Sequence, residues 1–209
     1  MVEIEYQATS VTPKTGREPL TSQVRNYGAH LADFWRWASS DLLSNTLRGT
    51  LAEYIVALAL GGVDGRVRRE WDAVDLITPE GIRVEVKSAA YLQTWVQERP
   101  SQITFGIAPT YGWYAETNSY STERRRQADA YVFCLLHHTD KATVDPLNLD
   151  QWTFLVMATS KLNESVGDQS RIGLAGLRTH GAIEASFEDL YSTFHRALSS
   201  PLDNDPTRW

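Results

Sequence analysis

The sequence predicts one mixed α/β domain, and three observations lead to that class. Two amphipathic helical segments lie in the first third, a charged strand-turn-strand stretch follows, and two strongly apolar strand segments precede a last amphipathic helix. The order of helix, strands, buried strand, strand and helix runs on without a linker-like interruption. With 209 residues, 42% of them hydrophobic, the chain can fill one sizeable core.

The elements follow in order. Residues 1 to 27 carry Pro, Gly, Thr and Ser and read as an arm with one short strand. "HLADFWRWASSDLL" sets Leu31, Phe34, Trp35, Ala38 and Leu42 at helical spacing. A second helix, "TLRGTLAEYIVALAL", follows a Ser44-Asn45 cap signal and stops at Gly61-Gly62. Its apolar stripe is Leu47, Leu51, Tyr54, Ile55 and Leu58. "PEG" at 79 to 81 turns a hairpin, and "SQITFGIAP" is a further strand. "YGWYAETNSYSTERRRQ" reads as a long polar-aromatic connection, "ADAYVFCLLHH" as a fully buried strand and "WTFLVMATS" as another. "SFEDLYSTFHRAL" is an amphipathic helix capped at Ser186, and "SSPLDNDPTRW" is a frayed tail.

Composition narrows the function. A net charge of -6 and a pI near 5.4 argue against a protein that coats nucleic acid non-specifically, though local basic patches stay compatible with a nucleic-acid enzyme. "MVEIEY" bears acid where a signal peptide bears base, and "YIVALAL" is too short to span a bilayer, so a cytoplasmic protein is expected. Cys134 is the single cysteine, which leaves no disulfide framework and no cysteine zinc site. His137 and His138 are adjacent on a strand and point to opposite faces, so with Asp140 they make no zinc site. "LGGVDG" has no following helix and no Walker lysine.

The stretch "WDAVDLITPEGIRVEVKSAAYLQTW", residues 71 to 95, holds the candidate chemistry. With a three-residue turn from Pro79 to Gly81, Thr78 faces Ile82 and Asp75 faces Glu85. Alternation then puts Val74, Leu76, Ile82, Val84 and Val86 on a core face and Asp75, Ile77, Arg83, Glu85 and Lys87 on the other. The same parity sends Asp72 away from Glu85. Two carboxylates about 5 Å apart across a strand pair repel by roughly 3 kcal/mol at an effective dielectric near 20. Lys87 offsets part of that, and a divalent cation bound by oxygen ligands would offset the rest. A plain salt-bridge ladder of Asp75, Arg83, Glu85 and Lys87 would give the same pattern. Arginine outnumbers lysine sixteen to four, so a lysine two residues after Glu85 is a chemical choice: lysine, unlike arginine, can shed its proton.

Asp75 followed by Glu85-Val86-Lys87, after a helix carrying Glu53, resembles the PD-(D/E)XK nuclease superfamily, which includes restriction endonucleases, Holliday-junction resolvases and lambda exonuclease. The resemblance covers residues 46 to 88 by motif and reaches about 137 by element order. Val74 stands where the motif has proline, and the helix after the third strand is indistinct. The resemblance implies a restriction-endonuclease-like core of helix, three strands, helix and strand over about residues 46 to 158, within a single domain spanning 1 to 209. Helical additions would precede this core, and a strand and helix would follow it. It further implies a Mg²⁺-dependent DNA endonuclease, with Mn²⁺ as substitute, that leaves a 5′-phosphate. Asp75, Glu85 and the Val86 carbonyl would hold the metal, Glu53 would complete its shell or anchor a second ion, and Lys87 would serve the attacking water.

Small neighbours around Glu53 (Gly49, Thr50, Val56 and Ala57) would let the hairpin approach. Arg124, Arg125 and Arg126 adjoin Tyr111, Trp113, Tyr114 and Tyr120, a pattern suited to tracking phosphates and stacking bases, and equally to a solvated face. Arg66, Arg68 and Arg69 form a second basic group. DNA is the expected partner, and a homodimer is allowed. The restriction- or defence-type endonuclease stands against an inactive nuclease-fold DNA-binding or assembly protein, and against a resolvase-like or RNA-directed nuclease.

Overall fold

The computed structural model of the chain describes residues 11–63, 65, 67, 68, 73–114 and 119–199. The expected tail from residue 200 onward, Asp72, Arg66 and Arg69 lie outside the described residues. An antiparallel pair, β1 (Pro19–Thr21) and β2 (Asn26–His30), leads into α1 (Leu31–Ala38). The N-terminal addition is therefore a strand pair with a helix, where the sequence suggests mainly helix. Phe34, Trp35 and Trp37 of α1 remain exposed, and none of its residues is buried.

Helix α2 (Asn45–Ala59) starts after Ser44 as expected. Its buried face is turned from the expected stripe: Arg48, Ala52, Ile55 and Val56 are buried, while Tyr54 and Leu58 are about half exposed. Small Ala52 and Val56 allow close approach to the sheet. Arg48 anchors the helix by donating to Ser88 Oγ at 3.3 Å, the Leu43 carbonyl at 2.8 Å, Asn45 Oδ1 at 2.7 Å and Gln93 Oε1 at 3.4 Å.

Next come β3 (Leu76–Ile77), β4 (Arg83–Ala90), β5 (Thr104–Gly106), β6 (Thr110–Tyr114), β7 (Ser119–Arg125) and β8 (Ala130–Leu136). A 3-10 turn at Leu149–Gln151 precedes β9 (Trp152–Ala158), α3 (Thr159–Val166), β10 (Arg171–Gly173), α4 (Leu174–Thr179), β11 (Ile183–Ala185) and α5 (Leu190–Leu198). Helix α5 begins beyond the expected cap, although Ser186 Oγ still accepts from the Asp189 amide.

The main sheet has the order β11-β9-β8-β4-β3, with β4 and β8 parallel and the other pairs antiparallel. Parallel strands need a long crossover, and an α-helix usually supplies it. Here the crossover holds β5, β6 and β7, and no helix is present among its described residues. This corrects the expected helix between the third and fourth core strands. Side chains stabilise the segment after β4 instead: Gln97 accepts from the Gln93 amide at 2.6 Å and donates to the Tyr91 carbonyl at 3.1 Å, and Ser101 donates its amide to the same carbonyl at 2.8 Å. Pro100 and Pro109 lack the amide a helix needs.

Both faces of the sheet are covered. Val84, Val86, Val132, Cys134, Phe154 and Val156 pack with α2 and α5. Ala89, Tyr131, Phe133, Leu155 and Met157 pack with β5, α3 and α4 on the other face. Val74 belongs to this second cluster, contrary to strict parity, because the chain leaves the ladder just before Leu76. No described helix is long and apolar enough to cross a membrane.

Candidate active site

The hairpin register places the charged residues. Leu76 pairs with Val84 and Ile77 with Arg83, while the Thr78 amide bonds the Ile82 carbonyl at 2.9 Å, which is the register expected from a three-residue turn. Since β3 is only two residues long, the β4 edge beyond Val84 needs another partner. Asp75 supplies it: its Oδ2 accepts from the Val86 amide at 2.7 Å. A strand residue directs its amide and carbonyl to the same side, so the Val86 carbonyl points to this edge as well.

Glu85 and Lys87 project from the second face, and Lys87 Nζ lies 2.5 Å from Glu85 Oε1. They line a cleft of about 280 Å³ with Ala73, Gly106, Ala108, Thr110, Gln127 and Tyr131. The Asp75 carboxyl is pushed up to about 6, first by burial and then by Glu85. Lys87 and the Val86 amide oppose the rise, and Glu53 adds to it. The structure thus brings Asp75, Glu85 and Lys87 together, with Glu53 near enough for its charge to be felt.

Glu53 is committed elsewhere. Arg68 grips it with two hydrogen bonds, Nε to Oε2 at 2.5 Å and Nη2 to Oε1 at 2.9 Å. Among the described residues no group of three or more His, Cys, Asp or Glu side chains is arranged to hold a metal ion. Asp75, Glu85 and the edge carbonyl nonetheless fit a hard cation such as Mg²⁺, which takes one or two carboxylates and keeps several waters. The Asp75 carboxyl is raised first by burial and second by the charge of Glu85, and a bound cation would offset both.

The basic groups divide. Arg126 is 7% exposed and structural: it donates to the carbonyls of Ile107, Gly167 and Gln169 and to Asn163 Oδ1. A buried guanidinium so engaged cannot also reach a nucleic acid, which corrects its assignment as a phosphate contact. Arg124 and Arg125 are exposed on β7, in the ribbon that replaces the expected loose connection. Tyr111 pairs with Arg124 and Trp113 with Tyr120 across it, the latter rings 4.8 Å apart. Gln127 holds both strands at the cleft wall, donating to the Thr110 and Arg125 carbonyls at 2.8 and 3.1 Å. Gly112 permits this, since a Cβ there would lie 2.9 Å from Gln127 Oε1.

Sequence reasoning missed Gln127 and Tyr131 as cleft residues. Tyr131 sits inside an apolar run, and only its pairing with Glu85 reveals its place.

Comparison with curated proteins gives no match. A family profile described as bacteriophage T4 endonuclease IV matches residues 10–171, a span that takes in α2, the Asp75 turn, β4 and the cleft walls. This match over most of its length shows that the chain belongs to the bacteriophage T4 endonuclease IV family.

Proposed function

We propose that the protein is a divalent-metal-dependent DNA endonuclease of PD-(D/E)XK type, serving restriction or defence. The observation that carries the reading is the grouping of Asp75, Glu85 and Lys87 at one sheet edge, beside an open cleft, in a chain of an endonuclease family. Asp75, Glu85 and the Val86 carbonyl would hold Mg²⁺ or Mn²⁺. Bound there, the ion would polarise the phosphate and lower the pKa of a coordinated water. Lys87 orients or deprotonates the attacking water and balances the charge growing on phosphorus. Glu53, released from Arg68, would join the metal shell. Arg124 and Arg125 engage backbone phosphates, and the exposed rings of Tyr111 and Tyr120 offer stacking surfaces.

One observation favours a second reading. Glu53 is paired with Arg68 and Glu85 with Lys87, an arrangement that suits a nuclease-fold protein that binds DNA without cutting it. Incubation with plasmid, linear duplex and single-stranded DNA, with and without Mg²⁺, separates the two. Metal-dependent cleavage is expected; binding to all three without cleavage under either condition favours the second reading.

A further inference from the structure

The floor of the cleft carries a polar group with no role so far. Tyr131 on β8 is the in-register parallel neighbour of Glu85 and shares its face. Its side chain is almost wholly enclosed, at 3% exposure, and its ring stacks on Phe133 at 5.6 Å with 21° between planes. Phe133 demonstrates that this face accepts a plain aromatic ring, so the Tyr131 hydroxyl adds nothing that packing requires. Among the described residues that hydroxyl has no hydrogen-bond partner, and Tyr131 lines the cleft together with Glu85, Lys87, Thr110 and Gln127. The ring is buried while the hydroxyl is not shut away from solvent, so it is presented to the cleft beside Glu85 and Lys87 as a donor that a ligand entering there can use.

We propose that Tyr131 is a substrate contact, its hydroxyl donating a hydrogen bond to a non-bridging oxygen of the phosphodiester seated between Lys87 and the Thr110–Gln127 wall. The proposal rests on the nuclease reading above and adds the phosphate-facing donor to it. The phenol is suited to donate, because a tyrosine hydroxyl keeps its proton at neutral pH. A neutral donor at the floor complements the ammonium of Lys87: it stabilises charge on the phosphate without competing for the Asp75–Glu85 cation site.

The test is Tyr131→Phe, which keeps the ring and its stacking, measured beside Lys87→Ala on an oligonucleotide with one Rp or Sp phosphorothioate at the cut. Tyr131→Phe should keep the thermal midpoint of the wild type and lose roughly ten- to a hundredfold in kcat/KM, the scale of one transition-state hydrogen bond. The rate penalty that one phosphorothioate isomer imposes on the wild type should largely vanish in Tyr131→Phe, since the bond it weakens is already gone. Full activity of Tyr131→Phe with an inactive Lys87→Ala would overturn the proposal alone. So would a slow Tyr131→Phe that keeps both wild-type phosphorothioate effects, which would assign the hydroxyl to positioning Glu85. Full activity of both variants would overturn the site reading and the proposal with it.

Discussion

Asp75 accepts a 2.7 Å hydrogen bond from the amide of Val86, the residue between Glu85 and Lys87. That one bond ties the short edge strand to the centre of β4 and fixes a buried carboxylate beside the Glu85–Lys87 pair. Its electrostatic cost is measurable.

The folded Asp75 carboxyl titrates near 6 against an ordinary value of 3.8. The native state therefore holds this proton more tightly than the unfolded chain does. Stability is lost as pH rises from about 4 through 6, and above that the penalty is on the order of 3 kcal/mol without metal. Asp75→Asn keeps an acceptor for the Val86 amide and removes the charge. In chelator, its thermal midpoint should exceed that of the wild type at pH 7.5, and the two should converge near pH 4. A midpoint below the wild type at pH 7.5 would show that the carboxylate is not under electrostatic strain.

Lys87 separates catalysis from binding. Lys87→Ala should lose cleavage while keeping much of its DNA affinity, because its work belongs to the transition state. Lys87→Arg should also be badly impaired, since a guanidinium does not shed its proton. Cleavage and equilibrium binding measured on the same preparations check both. A fully active Lys87→Arg would reduce Lys87 to an electrostatic anchor.

The adjacent arginines should behave differently from one another. Replacing Arg124 and Arg125 together by Ala should weaken DNA binding and reduce the slope of log affinity against log salt by roughly 0.7–0.9 for each phosphate that is no longer neutralised. Arg126→Ala should act on folding instead, because it strands three carbonyls and Asn163, with a loss of a few kcal/mol seen in denaturant titration. Equal effects of all three on salt dependence would contradict this division.

Arg48 makes a purely structural prediction. Burial lowers its pKa, and only neutral oxygens receive its hydrogen bonds. Arg48→Ala should destabilise by about 2–4 kcal/mol, with the unpaired Leu43 carbonyl and Gln93 amide left at the joint between α2 and β4. Denaturant titration measures it, and an effect below roughly 0.5 kcal/mol would mean that these groups find other partners.

Local signals carried the hairpin and the buried strands. A proline-glycine turn and strict alternation fix Leu76 opposite Val84, and a short apolar run rich in aromatic residues and valine, as in "AYVFCLL", reads as an interior strand such as β8. The same run hid Tyr131, whose meaning depends on a neighbour on a distant strand. Three consecutive arginines look alike in sequence, and only the departure of the chain from β7 turns Arg126 inward. The β6–β7 ribbon escaped notice because a bulge between Tyr111 and Trp113, where the Gly112 amide bonds Ser121 Oγ at 2.8 Å, breaks its alternation. The Glu53–Arg68 pair joins a helix to a loop and leaves no periodic trace. Parity failed at Val74 for a related reason: alternation holds only while the chain stays in the ladder.

The acidic pair beside Lys87 carries the metal-dependent chemistry in this reading of the protein. Its most direct test is cleavage of a labelled oligonucleotide by wild type, Asp75→Asn and Glu85→Gln across a Mg²⁺ titration, with circular dichroism confirming that all three fold. Mg²⁺-dependent cleavage by the wild type, abolished or slowed at least a hundredfold in both variants, is the predicted result. Cleavage that persists in both folded variants at wild-type rates would contradict it, because the activity would then arise elsewhere in the chain.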